Sequence, residues 1–165
     1  MDTREQAPLF SSLSPFPFIT EVFFEKLSVG DYAVEYSDGY RPKISFERKS
    51  IPDVYGTLGK NHARFKKEVL RAKEGGITLI VIIEGTLGKT LKGYKHSTMS
   101  GVSIVRQLFT LWVKYNIVPV FCSDRREMET YIYNYFCAIG RLKGTRAKQT
   151  LQDNPGRGHT KALRE

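Results

Sequence analysis

The chain has 165 residues, 41% of them hydrophobic, with 26 lysines and arginines against 17 aspartates and glutamates and a formal charge of +9. These figures allow one compact domain with its own core, and they exclude a disordered polyelectrolyte, a collagen-like chain and a coiled coil. The longest nearly apolar run, Ile77 to Ile83, falls far short of the roughly 18 residues a membrane span needs, so no membrane partner is expected.

The amino end, Met1-Asp2-Thr3-Arg4-Glu5, is charged from the start and has no apolar stretch suited to a signal peptide. An intracellular location is expected, with nucleus and cytoplasm not distinguished. Period-2 patterning predicts strands near Phe18 to Phe24, Gly30 to Tyr36 and Lys43 to Lys49. The last two are joined by a turn at Asp38-Gly39, which makes an antiparallel meander. Ser50 with Asp53 three places on has the form of a capping box, and Gly56 and Gly59 argue for a break before a second helix. That helix runs from about His62 to Lys73. Phe65, Val69 and Ala72 share one face, and Arg64, Lys66, Lys67, Arg71 and Lys73 dominate the rest. Gly75-Gly76 stops it.

Ile77 to Glu84 reads as a strand covered on both faces, followed by a polar loop from Gly85 to Ser100. A helix over Val102 to Tyr115 places Val105, Leu108, Phe109 and Trp112 on one face, and Asn116 ends it before a strand at Ile117 to Cys122. A last helix starts at the capping box Asp124 to Glu127 and buries Met128, Ile132, Phe136 and Ile139. The order predicts an α/β fold, a mixed sheet with an N-terminal antiparallel meander flanked by helices. Residues 1–140 form the expected domain. Residues 141–165 hold seven basic and two acidic residues, a net +5, and lack an apolar period, so they read as a mobile basic tail. Cys122 and Cys137 fit no CxxC or Cys/His cluster and read as core thiols.

Chemistry concentrates in Gly30-Asp31 and Glu47-Arg48-Lys49. Residues two apart on a strand share a face, so Glu47 and Lys49 project together with Ser45. If the turn is centred on Gly39, paired positions sum to 78, which sets Asp31 opposite Glu47 and Ala33 opposite Ser45. Two carboxylates and an ammonium group then meet at one spot. Carboxylates on adjacent strands suit a hard cation such as Mg²⁺, which keeps several waters and accepts phosphate oxygens. A neighbouring lysine can orient or help deprotonate an attacking water.

Alone, a Glu-x-Lys pair is weak. The longer string, Gly30-Asp31 followed by Glu47-Arg48-Lys49-Ser50-Ile51-Pro52-Asp53, resembles the signature of the XPF family of structure-specific DNA endonucleases, a branch of the PD-(D/E)XK nucleases with a restriction-endonuclease-like fold. Asp2-Thr3-Arg4-Glu5 is similar to the family's opening D-x-R-E. Arg64-Phe65 with Glu68 and Arg71 resembles its next helix, and Leu79 to Gly85 its apolar strand ending in Glu-Gly. The resemblance implies hydrolysis of a DNA phosphodiester with Mg²⁺ or Mn²⁺, at branches, flaps or single-strand/double-strand junctions. By position, Asp31 and Glu47 would bind metal, Arg48 would lend its backbone carbonyl, and Lys49 would serve the water. Asp2, Arg4, Glu5 and Asp53 match positions at or near the centre, but the capping box is an adequate structural account of Asp53 and the favoured one over a direct metal role. Only 25 residues follow Gly140, too few for the tandem helix-hairpin-helix module of eukaryotic members. A self-contained nuclease of viral or mobile-element kind is compatible with that.

The basic helix with Arg64, Lys66, Lys67 and Arg71, preceded by Lys60, is the expected phosphate contact. A phosphate loop at Gly85 to Thr90 fails on spacing, because it would need glycine where Ile83 stands. The alternative of another class is a noncatalytic partner that binds branched DNA. Such a copy would be expected to lose the acids or the lysine, and Asp31, Glu47 and Lys49 are all present. Family habit, with Tyr131, Tyr133, Tyr135 and Phe136 in the last helix, suggests a homodimer or heterodimer through the C-terminal helices.

Overall fold

A computed structural model of the chain describes residues 1, 9–10, 19, 21–22, 24–59 and 62–152, with side chains as far as 144. Eight elements follow one another among these residues: β1 (Ile44–Ser50), α1 (Ile51–Leu58), α2 (His62–Glu74), β2 (Thr78–Glu84), α3 (Leu87–Leu91), α4 (Gly101–Tyr115), β3 (Val118–Cys122) and α5 (Arg125–Gln152). The strands form a three-stranded sheet in the order β1-β2-β3. Both pairings are parallel, with Glu47 beside Val81 and Ile82 beside Val120. Such strands need crossover connections, and the α1–α2 pair and the α3–α4 pair supply them.

The central strand explains itself. In β2 five successive residues, Leu79 to Ile83, are buried, because both faces are covered. On one face Leu79, Val81 and Ile83 pack with Val54, Tyr55 and Leu58 of α1, Phe65, Val69 and Ala72 of α2, and Ile104 and Leu108 of α4. On the other, Phe46, Ile80 and Ile82 meet Met128, Ile132 and Phe136 of α5. The β1 side chains alternate between these layers, so Ser45, Glu47 and Lys49 lie on the α1–α2 side and Phe46 and Arg48 on the α5 side.

The expected antiparallel meander is not formed. Among the described residues, 24–43 contain no strand; one antiparallel bridge, Tyr32 to Phe46, stands where a hairpin ladder was expected. Its pair sums to 78, as the turn at Gly39 requires. The ladder stops there because Ser45 Oγ hydrogen-bonds the carbonyls of Val29 and Tyr32, at 2.8 and 3.1 Å. Asp31 and Tyr32 N–H groups both donate to Phe46 O, and Gly30 takes a left-handed φ of +73°. Side-chain contacts thus hold segment 28–32 in a bend that a regular strand cannot follow. Of the Phe18 to Phe24 segment, residues 18, 20 and 23 lie outside the described set, and the described residues 19, 21, 22 and 24 are in no strand.

Helix boundaries follow local signals. Ser50 and Asp53 form the reciprocal capping box, and Asp124 accepts from Glu127 N–H at 2.9 Å. Asn116 ends α4 at φ +57°. Three features depart from expectation. The 85–100 loop contains the short helix α3, capped by Thr86. Phe109 and Trp112, expected to be buried, are 41% and 45% exposed, because Ile104, Val105 and Leu108 fill the inner face of α4. Finally, α5 does not end at Gly140 but continues to Gln152. Lys143 there pairs with Asp38 and lies over the Tyr40 ring at 4.3 Å, while Tyr36 Oη donates to Phe136 O at 2.6 Å. Cys122 and Cys137 are free thiols, and burial pushes Cys122 up to about 11. No described helix is long and apolar enough to cross a membrane.

Candidate active site

The site grows from the outer strand β1. Glu47 is buried, only 6% exposed, on the helix-covered face, where an apolar residue would be the ordinary occupant. Lys49, two residues on and on the same face, donates from Nζ to Glu47 Oε1. Asp31 arrives from the bend across the Tyr32–Phe46 bridge, and its Oδ2 accepts the Arg48 backbone N–H at 2.8 Å. The three chemical groups singled out in the sequence are therefore brought together.

A fourth group joins them that sequence reasoning had assigned no role in the site. Glu68 of α2 reaches across to accept the Gly30 N–H on Oε1 at 3.1 Å, and its charge acts on both Glu47 and Lys49. Its sequence signals are its place beside Arg64, Phe65 and Arg71 in the helix that carries part of the family resemblance, and an acid interrupting the basic run from Arg64 to Arg71.

The electrostatics follow from this crowding. Burial pushes the Glu47 carboxyl up to about 8; Lys49 pulls it back, and the charges of Asp31 and Glu68 push it up again. Burial alone would lower Lys49, but the Glu47, Asp31 and Glu68 carboxylates outweigh it and hold the ammonium above its ordinary range. Lys49 therefore stays a cation at neutral pH.

That donor set fits a hard divalent cation. Carboxylates gathered in a poorly solvated corner repel one another, and a cation bound there would relieve the repulsion. Among the described residues no group of three or more His, Cys, Asp or Glu side chains is placed to hold an ion. Two acids suit Mg²⁺ or Mn²⁺, which keep waters and take substrate oxygens, rather than a closed Zn²⁺ cage.

The remaining sequence candidates divide. Arg48 turns its side chain to the opposite face, where its guanidinium pairs with Glu84 at 2.9 Å, so only its backbone faces Asp31. Asp53 Oδ2 accepts from Ser50 Oγ at 2.6 Å and from Ser50 N at 3.3 Å, inside its own helix cap. Arg64, Lys66, Lys67 and Arg71 are all exposed on α2. Arg71 Nε also donates to Ser28 O at 3.2 Å. Asp2, Arg4, Glu5 and Lys60 lie outside the described residues.

Gly30 shows why the motif opens with glycine. Besides its positive φ, a Cβ there would stand 2.3 Å from Ser45 Oγ and 2.9 Å from Phe46 O. No other residue fits without moving β1.

Comparison with known proteins gives the same outline. The profile of the ERCC4 domain matches residues 1–135. No curated protein sequence matches the chain. Among solved structures, XPF from Aeropyrum pernix aligns with a TM-score of 0.58 at 24% identity, covering 95% of this chain and 73% of its own. The same protein in a complex with DNA aligns at 0.56 and 21% identity, over 79% of this chain and 60% of its own. At these identities the likeness is one of fold.

Proposed function

Because this chain belongs to the ERCC4 domain family, as an XPF-type nuclease domain, we propose that it is a divalent-metal-dependent endodeoxyribonuclease acting on branched, flap or junction DNA. The observation that carries the reading is the convergence of Asp31, Glu47 and Lys49 beside a helix whose outward face is cationic. Asp31 and Glu47, with the Arg48 carbonyl, would hold Mg²⁺ or Mn²⁺, which when bound would supply charge neutralisation at the scissile phosphate and a more acidic water.

The chain's own residues do the rest. Lys49, kept protonated by its acidic neighbours, donates to the attacking water or a non-bridging phosphate oxygen and so orients an in-line approach. Glu47 keeps Lys49 in place through their direct contact. Arg64, Lys66 and Lys67 bind the backbone of the strand without reading its bases. That an XPF has been solved in complex with DNA supports DNA as the partner. Pairing through the C-terminal helices belongs to the same proposal, supported by the exposed Tyr131 of α5, while Phe136 is buried there and the exposed Phe109 and Trp112 lie on α4 at the other face of the sheet. Sedimentation at micromolar protein tests it, and a monomer at every concentration would remove it.

The test of function is cleavage of labelled flap, splayed-arm and linear DNA with Mg²⁺, Mn²⁺ or chelator. Metal-dependent cutting is expected, abolished by Glu47→Ala with binding retained. A wild-type chain that binds all these substrates and cuts none would leave a noncatalytic DNA-binding role instead.

A further inference from the structure

Helix α2 does more than present cations. Two of its side chains, Glu68 and Arg71, are three residues apart and lie on one face. Both close on the bend just before Asp31: Glu68 Oε1 accepts the Gly30 N–H at 3.1 Å, and Arg71 Nε donates to Ser28 O at 3.2 Å. From the other side Ser45 Oγ holds the Val29 carbonyl, and the Arg48 N–H holds the Asp31 carboxylate. Backbone on either side of Gly30 is thus fixed by side chains at a residue whose left-handed φ and lack of a Cβ make it the natural pivot.

We propose that Glu68 is a positioning residue for the cleavage reaction: as acceptor for the Gly30 N–H it fixes the backbone from which Asp31 enters the centre. This rests on the nuclease reading above. Its physical content is that an acceptor at one place, rather than a negative charge, is what the site requires of residue 68. Lys66 and Lys67 directly precede it on the same helix. A strand bound on α2 is therefore referenced, through one rigid element, to the residue that shapes the metal site.

Three substitutions separate position from charge. Glu68→Gln removes the charge and keeps an oxygen at the same reach. Glu68→Asp keeps the charge and withdraws the oxygen by one methylene. Glu68→Ala removes both. Mn²⁺ affinity is measured by calorimetry without DNA, kcat and KM on a flap duplex, and Gly30 amide exchange by NMR in the metal-free protein. Losses of about 10–100-fold in Mn²⁺ affinity and kcat are expected for Asp and Ala, with KM little changed, and values within about threefold of wild type for Gln. Gly30 exchange should quicken in Asp and Ala but not in Gln.

An active Asp variant beside an impaired Gln variant would overturn the proposal in favour of charge, and three variants equal to wild type would overturn it outright. Should the wild-type chain neither bind Mn²⁺ nor cut, the nuclease reading fails and the catalytic role with it. Unchanged Gly30 exchange in an Asp variant that folds and cuts would instead break the Glu68 inference alone.

Discussion

The Asp31 carboxylate is anchored by the backbone of Arg48, Oδ2 to N–H at 2.8 Å, while the Arg48 side chain leaves for Glu84 on the far side of the sheet. One residue thus serves two faces: its main chain holds an acid next to Glu47, and its guanidinium ties β1 to the end of β2.

Asp31→Asn should leave that anchor intact, since the amide oxygen still accepts the N–H, while removing the charge a cation needs. Melting temperature should change little. Metal-dependent cleavage should fall by at least about 100-fold, beyond the roughly 10–100-fold typical of residues that only support a ligand. A near-native rate would take Asp31 out of the centre.

Glu47 sets a pH dependence with a definite sign. Its carboxyl is raised from 4.5 unfolded to about 8 folded, chiefly by burial. The folded state therefore holds the extra proton, and the associated stability is present below about 4.5 and lost as pH rises through about 8. In chelator, the melting temperature of Glu47→Gln relative to wild type should climb across that window. Added Mg²⁺ should stabilise wild type more at the alkaline end and the variant hardly at all. A pH-independent difference between the two would mean that Glu47 titrates normally.

Gly30→Ala forces a side chain into a left-handed bend and within 2.3 Å of Ser45 Oγ. A cost of at least about 2 kcal/mol is expected, from backbone strain and the displaced neighbour together. Chemical denaturation would measure it. A fully stable Gly30→Ala protein would show that the bend is not held as described.

Replacing Lys66 and Lys67 together by alanine should weaken DNA binding at low salt. The slope of log K against log salt should become shallower by up to about 2, near 0.9 for each phosphate no longer neutralised. Fluorescence anisotropy over a salt series reads this directly. An unchanged slope would move the DNA off α2.

Much of the candidate site was legible because a strand and a turn impose arithmetic. Centring the turn on Gly39 put Tyr32 against Phe46, and that bridge is present. What followed, an antiparallel meander, was not legible. The hydroxyl of Ser45 engages Val29 and Tyr32 carbonyls, and no residue pattern announces that interaction. The role of Glu68, named in the sequence only as part of a helix pattern, escaped for a related reason: its partner Gly30 lies 38 positions away, joined only by the packing of a helix on a bend. Phe109 and Trp112 have the right period for a core, but α4 needs only one side of its apolar stripe to cover the sheet. Basic composition suggested that the chain loosens after Gly140, yet Lys143 has an acid and a ring to meet at the turn.

That last attachment bears on how the protein is made. The turn between Asp31 and Glu47 is braced by Phe136 and Lys143, at sequence separations of 100 and 105. A ribosome adding about 5–20 residues per second would deliver the brace roughly 5–20 s after those two acids. During that interval the nascent chain carries both carboxylates with the joint between them unsupported. What waits for the last helix is the bracing of this turn, whereas the contacts from Ser45, Arg48 and Glu68 that hold the bend at Asp31 come from residues made much earlier.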